Sequence, residues 1–490
     1  MSKSLRSSLC VLLAPLLVLA TLNLSGSIDF SLCASVAKED TGHRLESMLR
    51  RAAGQQPSRD VSGESARRSR DWVRDGVVYE IFPRAFSPEG NFNGITAQLD
   101  RLKDLGVTIL WLMPIHQIGQ EKKKGTIGSP YAVRDYYSIN PDYGTKEDLR
   151  RLISEAHQRG LKIIIDIVAN HTSWDSVMMK NPDFYKRDAQ GKIIWPYDWT
   201  DVAWLNYGNP KLRDYMIEML KYWIREFDLD GFRCDVAGEV PVDFWERARS
   251  EIEKIKPDIV MLAEASKPDL LVKAFDFDYA WPLHSTLNEV LTGSSPATAV
   301  RKTWEQERSR FPRGATHMLF SDNHDESRAI ARFGERGALA ASALVFTLDG
   351  VPLLYNGMEV GDTAESGAPA LFERLPIFWG IVERRRQFPL FYRQMISLRR
   401  DHSALRRGET EWIRSSDEQR VISFMRRDGS EELLIAVNMS NRPFSGFVEV
   451  TNGFSFREVT PDSNSMNHMT ALPVLTLDAW GFRIFRRAVQ

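Results

Sequence analysis

Lys162-Ile163-Ile164-Ile165-Asp166-Ile167-Val168 is apolar almost throughout. A strand with one wet face alternates, whereas a run like this suits a strand covered on both faces, as in a parallel sheet flanked by helices. A second such stretch, Asp230-Gly231-Phe232-Arg233-Cys234-Asp235-Val236-Ala237, ends in charge. Arg233 and Asp235 are separated by one residue, so on a strand they share a side. A guanidinium beside a carboxylate favours the ionised form. An ionised carboxylate at a strand end is what a covalent nucleophile needs. It is equally what a structural ion pair at a strand terminus provides.

The same strand–helix rhythm extends in both directions. Strands are expected over 77–82, 108–112, 162–168, 231–236, 259–264, 275–279, 316–321 and 351–355. Helical spacing separates them at 95–105, 145–157, 212–227, 244–255, 284–309 and 338–347, with a last helix over 391–400. Helix stops at Gly106 and Gly160 and the cap at Thr145 punctuate the pattern. Eight strands alternating with helices predict an α/β fold, a closed (β/α)8 TIM barrel. An open doubly wound sheet would carry a glycine-rich phosphate loop early on, and Gly90 to Gly94 lacks that spacing.

The barrel is expected in two parts, 75–169 and 206–404. Residues 170–205, rich in Trp, Asp, Pro and Tyr without a period, read as a small insertion domain after strand three. From 405 to 490 short strands at 421–425, 433–437, 446–450 and 479–485 predict a C-terminal antiparallel β-sandwich domain. At the other end, Lys3 and Arg6 precede an apolar run over 11–24 and then small residues. Residues 1–37 therefore read as an export signal, with an uncleaved anchor as the alternative. The polar stretch 38–74, with Arg67-Arg68-Ser69-Arg70, reads as a flexible linker.

Composition narrows the function. The chain has 490 residues and a formal net charge of −1, which gives no electrostatic case for nucleic acid or an anionic membrane surface. Cys10 and Cys33 lie in or near the leader, so a mature chain holds Cys234 alone and forms no internal disulfide. Its strand position beside Asp235 suits a small buried residue.

In such a barrel, chemistry sits at the carboxyl ends of the strands. Strand three leads to Asn170-His171, strand four ends with Arg233 and Asp235, strand five ends at Glu264, and strand seven leads into Asn323-His324-Asp325. Several carboxylates on one rim, with His and Arg and no cysteine cluster, fit glycoside hydrolysis: one carboxylate attacks, another protonates the leaving oxygen. Arg233 holds the charge on Asp235, and the apolar neighbours Met261, Leu262 and Ala263 predict a raised pKa for Glu264. His171 and His324 lack the spacing of a transition-metal site.

Asp166-Ile167-Val168-Ala169-Asn170-His171, Gly231-Phe232-Arg233-Cys234-Asp235, Glu264 and Phe320-Ser321-Asp322-Asn323-His324-Asp325 resemble, in order and spacing, the four sequence regions of the α-amylase family of glycoside hydrolases. Gly350-Val351-Pro352-Leu353-Leu354-Tyr355-Asn356-Gly357-Met358-Glu359 resembles its eighth-strand segment. Ser129-Pro130-Tyr131-Ala132-Val133-Arg134-Asp135-Tyr136 resembles its loop with a stacking tyrosine. The resemblance implies a retaining double displacement on α-1,4-glucans or maltooligosaccharides. In it, Asp235 attacks, Glu264 is acid and base, and Asp325 grips and distorts the sugar. His171 and His324 bond the sugar, Tyr131 stacks on it, Arg233 orients Asp235, and Asp166 pairs with Arg233.

Residues 235–245, with Glu239 as an acceptor-side contact, are similar to the neopullulanase and cyclomaltodextrinase branch. Two features depart from the family. Gly238-Glu239 stands where many α-amylases carry Lys-His, and Ala265-Ser266 where an aromatic is common. The family implies no required cofactor, with calcium as an optional ion for which Asn170 matches a ligand while Glu239 replaces the histidine that completes the site. A transglycosylase on the same site stays open. A non-catalytic sugar-binding or transporter-partner barrel is disfavoured, because the trio Asp235, Glu264 and Asp325 is complete.

Overall fold

The computed structural model describes residues 59–461 and 471–489. Eight strands form a closed parallel barrel: β1 (Val78–Ile81), β2 (Ile109–Leu112), β3 (Lys162–Val168), β4 (Gly231–Asp235), β5 (Val260–Ala263), β6 (Phe277–Tyr279), β7 (His317–Leu319) and β8 (Val351–Tyr355). Each pairs with the next, and β8 returns to β1.

The two-residue period of a strand sorts side chains between lumen and helix shell. Val78, Ile109, Trp111, Ile164, Leu262, Tyr279 and Leu353 fill the lumen. On β3, Ile163, Ile165 and Ile167 face the other way, into the large cluster shared with the helices. Asp166 is therefore on the lumen side with Ile164. On β4, Phe232 and Cys234 join the helix shell, which leaves Gly231, Arg233 and Asp235 on the lumen side. The register sets Arg233 beside Asp166 and Asp235 beside Val168. Gly231 is required where it stands, since a Cβ there would lie 2.3 Å from the Val260 carbonyl oxygen.

The helices begin and end where their caps direct. Helix Lys146–Gln158 opens on a capping box between Thr145 and Asp148. Helix Pro210–Phe227 opens on Asn209 and closes on Asp228 in the left-handed region. The helix expected from 338 begins earlier, at Ala329, and breaks at Gly334 (φ 71°). That break interrupts the apolar period and hides the first half.

After β3 the insertion is an irregular segment held by a two-stranded ribbon, His171–Ser173 against Val202–Trp204, with single turns at Val177–Lys180 and Pro182–Phe184. The C-terminal domain has a five-stranded antiparallel sheet, β9 (Glu409–Trp412), β10 (Val421–Arg427), β11 (Glu431–Asn438), β15 (Phe482–Ala488) and β13 (Arg457–Glu458), in that order. A pair, β12 (Phe444–Phe447) and β14 (Val474–Leu477), completes it. Val421, Met425, Leu434, Phe444, Leu475 and Phe485 form a core shared by the two sheets. Ile422, Phe424, Leu433 and Ile435 join the barrel's cluster instead. Two expected strand positions shift. The one at 446–450 lies at Phe444–Phe447, and the last runs Phe482–Ala488 because Trp480 (φ 58°) and Gly481 form a turn.

The expected linker over 38–74 is corrected for residues 59–74. Val61 and Val73 are buried. The Ala66 amide donates to the Arg313 carbonyl at 2.9 Å, and the Arg67 amide to Leu271 at 2.8 Å. The Ser69 hydroxyl donates to Asp276 at 2.6 Å, and Arg67 pairs with Glu253. Polar residues that read as solvated are bonded to carbonyls and acids around β6 and β7, so the stretch is part of the barrel. The leader, and the linker up to 58, lie outside the described residues.

Candidate active site

Arg233 organises the lumen end of the barrel. It is fully buried, and every edge of its guanidinium is engaged. Nη1 donates to Asp166 Oδ1 and Oδ2, each at 2.9 Å, and to Asp235 Oδ1 at 3.0 Å. Nη2 lies 2.9 Å from Glu264 Oε2. Nε donates to the Tyr279 hydroxyl at 3.1 Å, and the Trp111 ring lies 5.0 Å beneath. The carboxylates keep this guanidinium charged against the penalty of burial.

The backbone supports the same geometry. Val236, directly after Asp235, adopts φ 44°, a costly conformation for a β-branched residue. Its amide donates to Glu264 Oε2 at 2.8 Å. The Glu264 amide donates back to Cys234 at 3.0 Å, which ties the ends of β4 and β5 together. Asp235 Oδ1 is held by Arg233, while Oδ2 is buried and makes no hydrogen bond.

One electrostatic expectation changes. Arg233 is shared among three carboxylates, so it does not by itself hold Asp235 ionised. Burial first, then the Glu264 charge, push the Asp235 carboxyl well above its ordinary range against Arg233. Asp166 is likewise lifted to about 6 by burial, with Arg233 opposing. Glu264 is buried with Leu262 on the lumen side, and its carboxylate has polar partners. Met261 and Ala263 face the helix shell, while the Glu264 carboxylate turns over β4 onto a cation and an amide. Neighbours in sequence along a strand are not neighbours of its terminal side chain.

Asp325 and the two histidines expected to bond the sugar, His171 and His324, stand at the same rim. His324 Nε2 is 2.8 Å from the Tyr131 hydroxyl and 3.3 Å from Asp325 Oδ1. The Tyr131 hydroxyl also donates to Asp166 Oδ2 at 3.1 Å. His171 is buried and takes the Trp199 ring edge-on at 5.5 Å. Burial lowers its pKa to about 4, so it is neutral at pH 7. Glu239 is half-buried on the turn Ala237–Glu239 just after β4, where its charge acts on Lys186. Asp235, Glu264, Asp325, Tyr131, His324 and Arg233 thus form one connected group, with His171 and Glu239 on its flank.

Asn170, the expected calcium ligand, already has a side-chain partner. Asn170 Oδ1 accepts from the Trp204 indole N–H at 3.0 Å, and the Lys186 ammonium lies 3.4 Å over that indole. Among the described residues no group of three or more His, Cys, Asp or Glu is arranged to hold a metal.

Sequence reasoning passed over Glu80, Trp111 and Tyr279. Glu80 lies on β1 and contacts His324 Nδ1. Its signal was a lone charge inside an apolar strand. Trp111 and Tyr279 line the Arg233 site through cation–π contact and were indistinguishable from core. His116 and His284 are structural, both buried against aromatic rings.

Comparison with known proteins agrees with this geometry. Residues 60–422 match the family described as "Alpha amylase, catalytic domain". The alpha-amylase MalA of Haloarcula japonica is 29% identical over 78% of this chain, which spans 58% of that protein's length. A cyclomaltodextrinase of Geobacillus thermopakistaniensis is 28% identical over 76% of this chain and 70% of its own. The intracellular maltogenic amylase of Bacillus subtilis is 29% identical over 81% and 72%. The crystal structure of an alpha-amylase from Lactobacillus plantarum superposes with a TM-score of 0.75 at 31% identity, covering 85% of this chain and 100% of that one. With the family's catalytic domain spanning most of the chain and the carboxylates gathered at the barrel rim, this protein belongs to the alpha-amylase family of glycoside hydrolases.

Proposed function

We propose that the chain hydrolyses α-1,4-glucosidic bonds of starch-type glucans or maltooligosaccharides with retention of configuration. The observation that carries this is the single guanidinium joining Asp235 and Glu264. It keeps the two carboxyls close, as a retaining pair about 5 Å apart requires. Asp235 Oδ2, buried and unbonded, is the attacking oxygen. The coupled pair shares one proton, and in the productive form Asp235 is ionised and Glu264 holds it. Asp235 then forms the bond to the anomeric carbon as the bond to the leaving oxygen breaks, and Glu264 gives that oxygen its proton. The ester removes the Asp235 charge, which weakens the hold of Glu264 on a proton. Glu264 then takes a proton from water as the water oxygen displaces Asp235. Asp325, His171 and His324 hold the sugar hydroxyls, and Tyr131 stacks on the ring.

The similarity of 235–245 to cyclomaltodextrinases, with Glu239 on the acceptor side, favours short or cyclic substrates. The test is product analysis on soluble starch, maltoheptaose, β-cyclodextrin and pullulan, with anomeric configuration followed by NMR. Retained α-maltose and glucose, with the cyclic substrate fastest, support the reading. Inverted products overturn retention. Products longer than the maltoheptaose supplied replace hydrolysis with glycosyl transfer to sugar acceptors.

Export through residues 1–37 is part of the same proposal. No helix among the described residues is long and apolar enough to cross a membrane. The Bacillus subtilis relative carries the name intracellular. Fractionation with N-terminal sequencing decides. A trimmed chain outside the cytoplasm supports export, and an intact cytoplasmic chain overturns it.

A further inference from the structure

We infer that Glu80 is a positioning residue of the active site, holding the His324 imidazole by Nδ1 so that Nε2 faces the sugar. The inference rests on the glycosidase reading above. Glu80 is fully buried on β1 and paired in register with Trp111 and Tyr355. Val78 belongs to the lumen and Tyr79 and Ile81 to the helix shell, so strand alternation puts Glu80 inside. A buried carboxylate there needs a partner that offsets its desolvation. Glu80 Oε1 meets His324 Nδ1, and Oε2 has no hydrogen-bond partner. Holding His324 is thus the carboxylate's one bonded task.

The imidazole is fixed in plane as well. Tyr131 stacks on it at 5.4 Å and 19°, and Trp111 meets it edge-on at 5.7 Å and 81°. A ring flip would lose both nitrogen contacts at once. The charged and titratable groups that act on it are Glu80 from β1, Asp325 beside it, Tyr131 from the long loop, Asp166 from β3 and Arg233 from β4. Burial opposes the imidazolium, but Asp325 and Glu80 outweigh it and lift the pKa to about 9, with Arg233 opposing. Below that pH both nitrogens donate, Nδ1 to Glu80 and Nε2 to the Tyr131 hydroxyl at 2.8 Å and toward Asp325 at 3.3 Å, the edge on which a sugar hydroxyl would compete. Glu80→Gln keeps the shape and removes the charge, so a neutral ring with one N–H becomes favoured.

The test compares wild type, Glu80→Gln and Glu80→Asp by NMR of 15N-histidine-labelled full chain, with His324 assigned through His324→Gln. Activity on the best of the four glucans is measured across pH. In Glu80→Gln the His324 titration is expected to fall by about one unit or more, and the alkaline limb of kcat/KM with it. Activity just below the wild-type limb should drop about tenfold. Glu80→Asp, which retains the charge, is expected to keep the raised titration and covers the case in which the glutamine variant does not fold. On a His324→Gln background, Glu80→Gln should move the alkaline limb no further. An unchanged His324 titration in Glu80→Gln overturns the proposal, even if the protein is destabilised. A shifted titration in a protein inactive on every glucan overturns the glycosidase reading instead and leaves the pairing standing.

Discussion

Arg233 Nη2 lies 2.9 Å from Glu264 Oε2, so the expected acid rests on the same cation as the expected nucleophile. A planar guanidinium with two separated edges can serve both; an ammonium is a single point. Arg233→Lys is therefore not conservative here. It is expected to lower kcat/KM about a thousandfold and stability by about 3 kcal/mol, because it leaves buried carboxylates unpaired. Steady-state kinetics with urea unfolding check both numbers. A lysine variant within tenfold of wild type would sink the shared-cation account.

Glu264→Gln should change the pH dependence in a defined direction. Burial and the Glu264 charge raise the Asp235 pKa, and Arg233 opposes them. Asp235 has to be ionised to attack, so in wild type activity falls as pH drops through this raised value. Removing the Glu264 charge lowers the Asp235 pKa, and the acid limb moves to lower pH. The measurement needs a leaving group that departs without a proton, such as the fluoride of α-maltosyl fluoride. A downward shift of about one unit or more is expected. An unmoved or raised limb would show that Glu264 does not act on Asp235 as placed here.

The barrel was legible because its strands keep a two-residue period under a near-continuous apolar surface, as 162–168 and 231–236 do. The gathering of Asp235, Glu264 and Asp325 at one rim was legible because each member ends or follows a strand. What escaped was set by spatial neighbours. Arg233 is two residues from Asp235 in sequence, yet its second edge reaches Glu264, which no local pattern encodes. Glu80 and His324 are 244 residues apart and meet only because β8 closes on β1. Residues 59–74 looked like linker because their arginines and serines are polar. Their partners, Glu253 and Asp276, lie on distant elements.

Chelation separates the family's calcium from the arrangement at Asn170. With Asn170 Oδ1 bonded to Trp204 and Lys186 over the indole, dialysis against EDTA is expected to leave the thermal midpoint and kcat/KM unchanged. Differential scanning calorimetry with and without added calcium or magnesium reads this directly. A drop restored by calcium alone would place a calcium site in the protein and return Asn170 to the ligand set.

Asp230 offers a test of stability away from the catalytic rim. It precedes β4 and accepts from His157 Nε2 at 2.7 Å, Lys162 Nζ at 2.9 Å and the Ile163 amide at 2.9 Å. Burial would raise its pKa, but these bonds and Lys256 outweigh it and lower the value to about 2. A folded pKa below the unfolded one stabilises the protein above the unfolded value and loses that contribution as pH falls through the folded value. The contribution is about 2 kcal/mol at pH 7 and roughly half that at pH 3. Asp230→Asn should therefore unfold at lower urea concentration at pH 7, with a smaller gap from wild type at pH 3 and an unchanged kcat. A gap that widens at pH 3 would reverse the sign of the linkage. A large fall in kcat would mean that the amino end of β4 is coupled to the carboxyl end, where Asp235 stands.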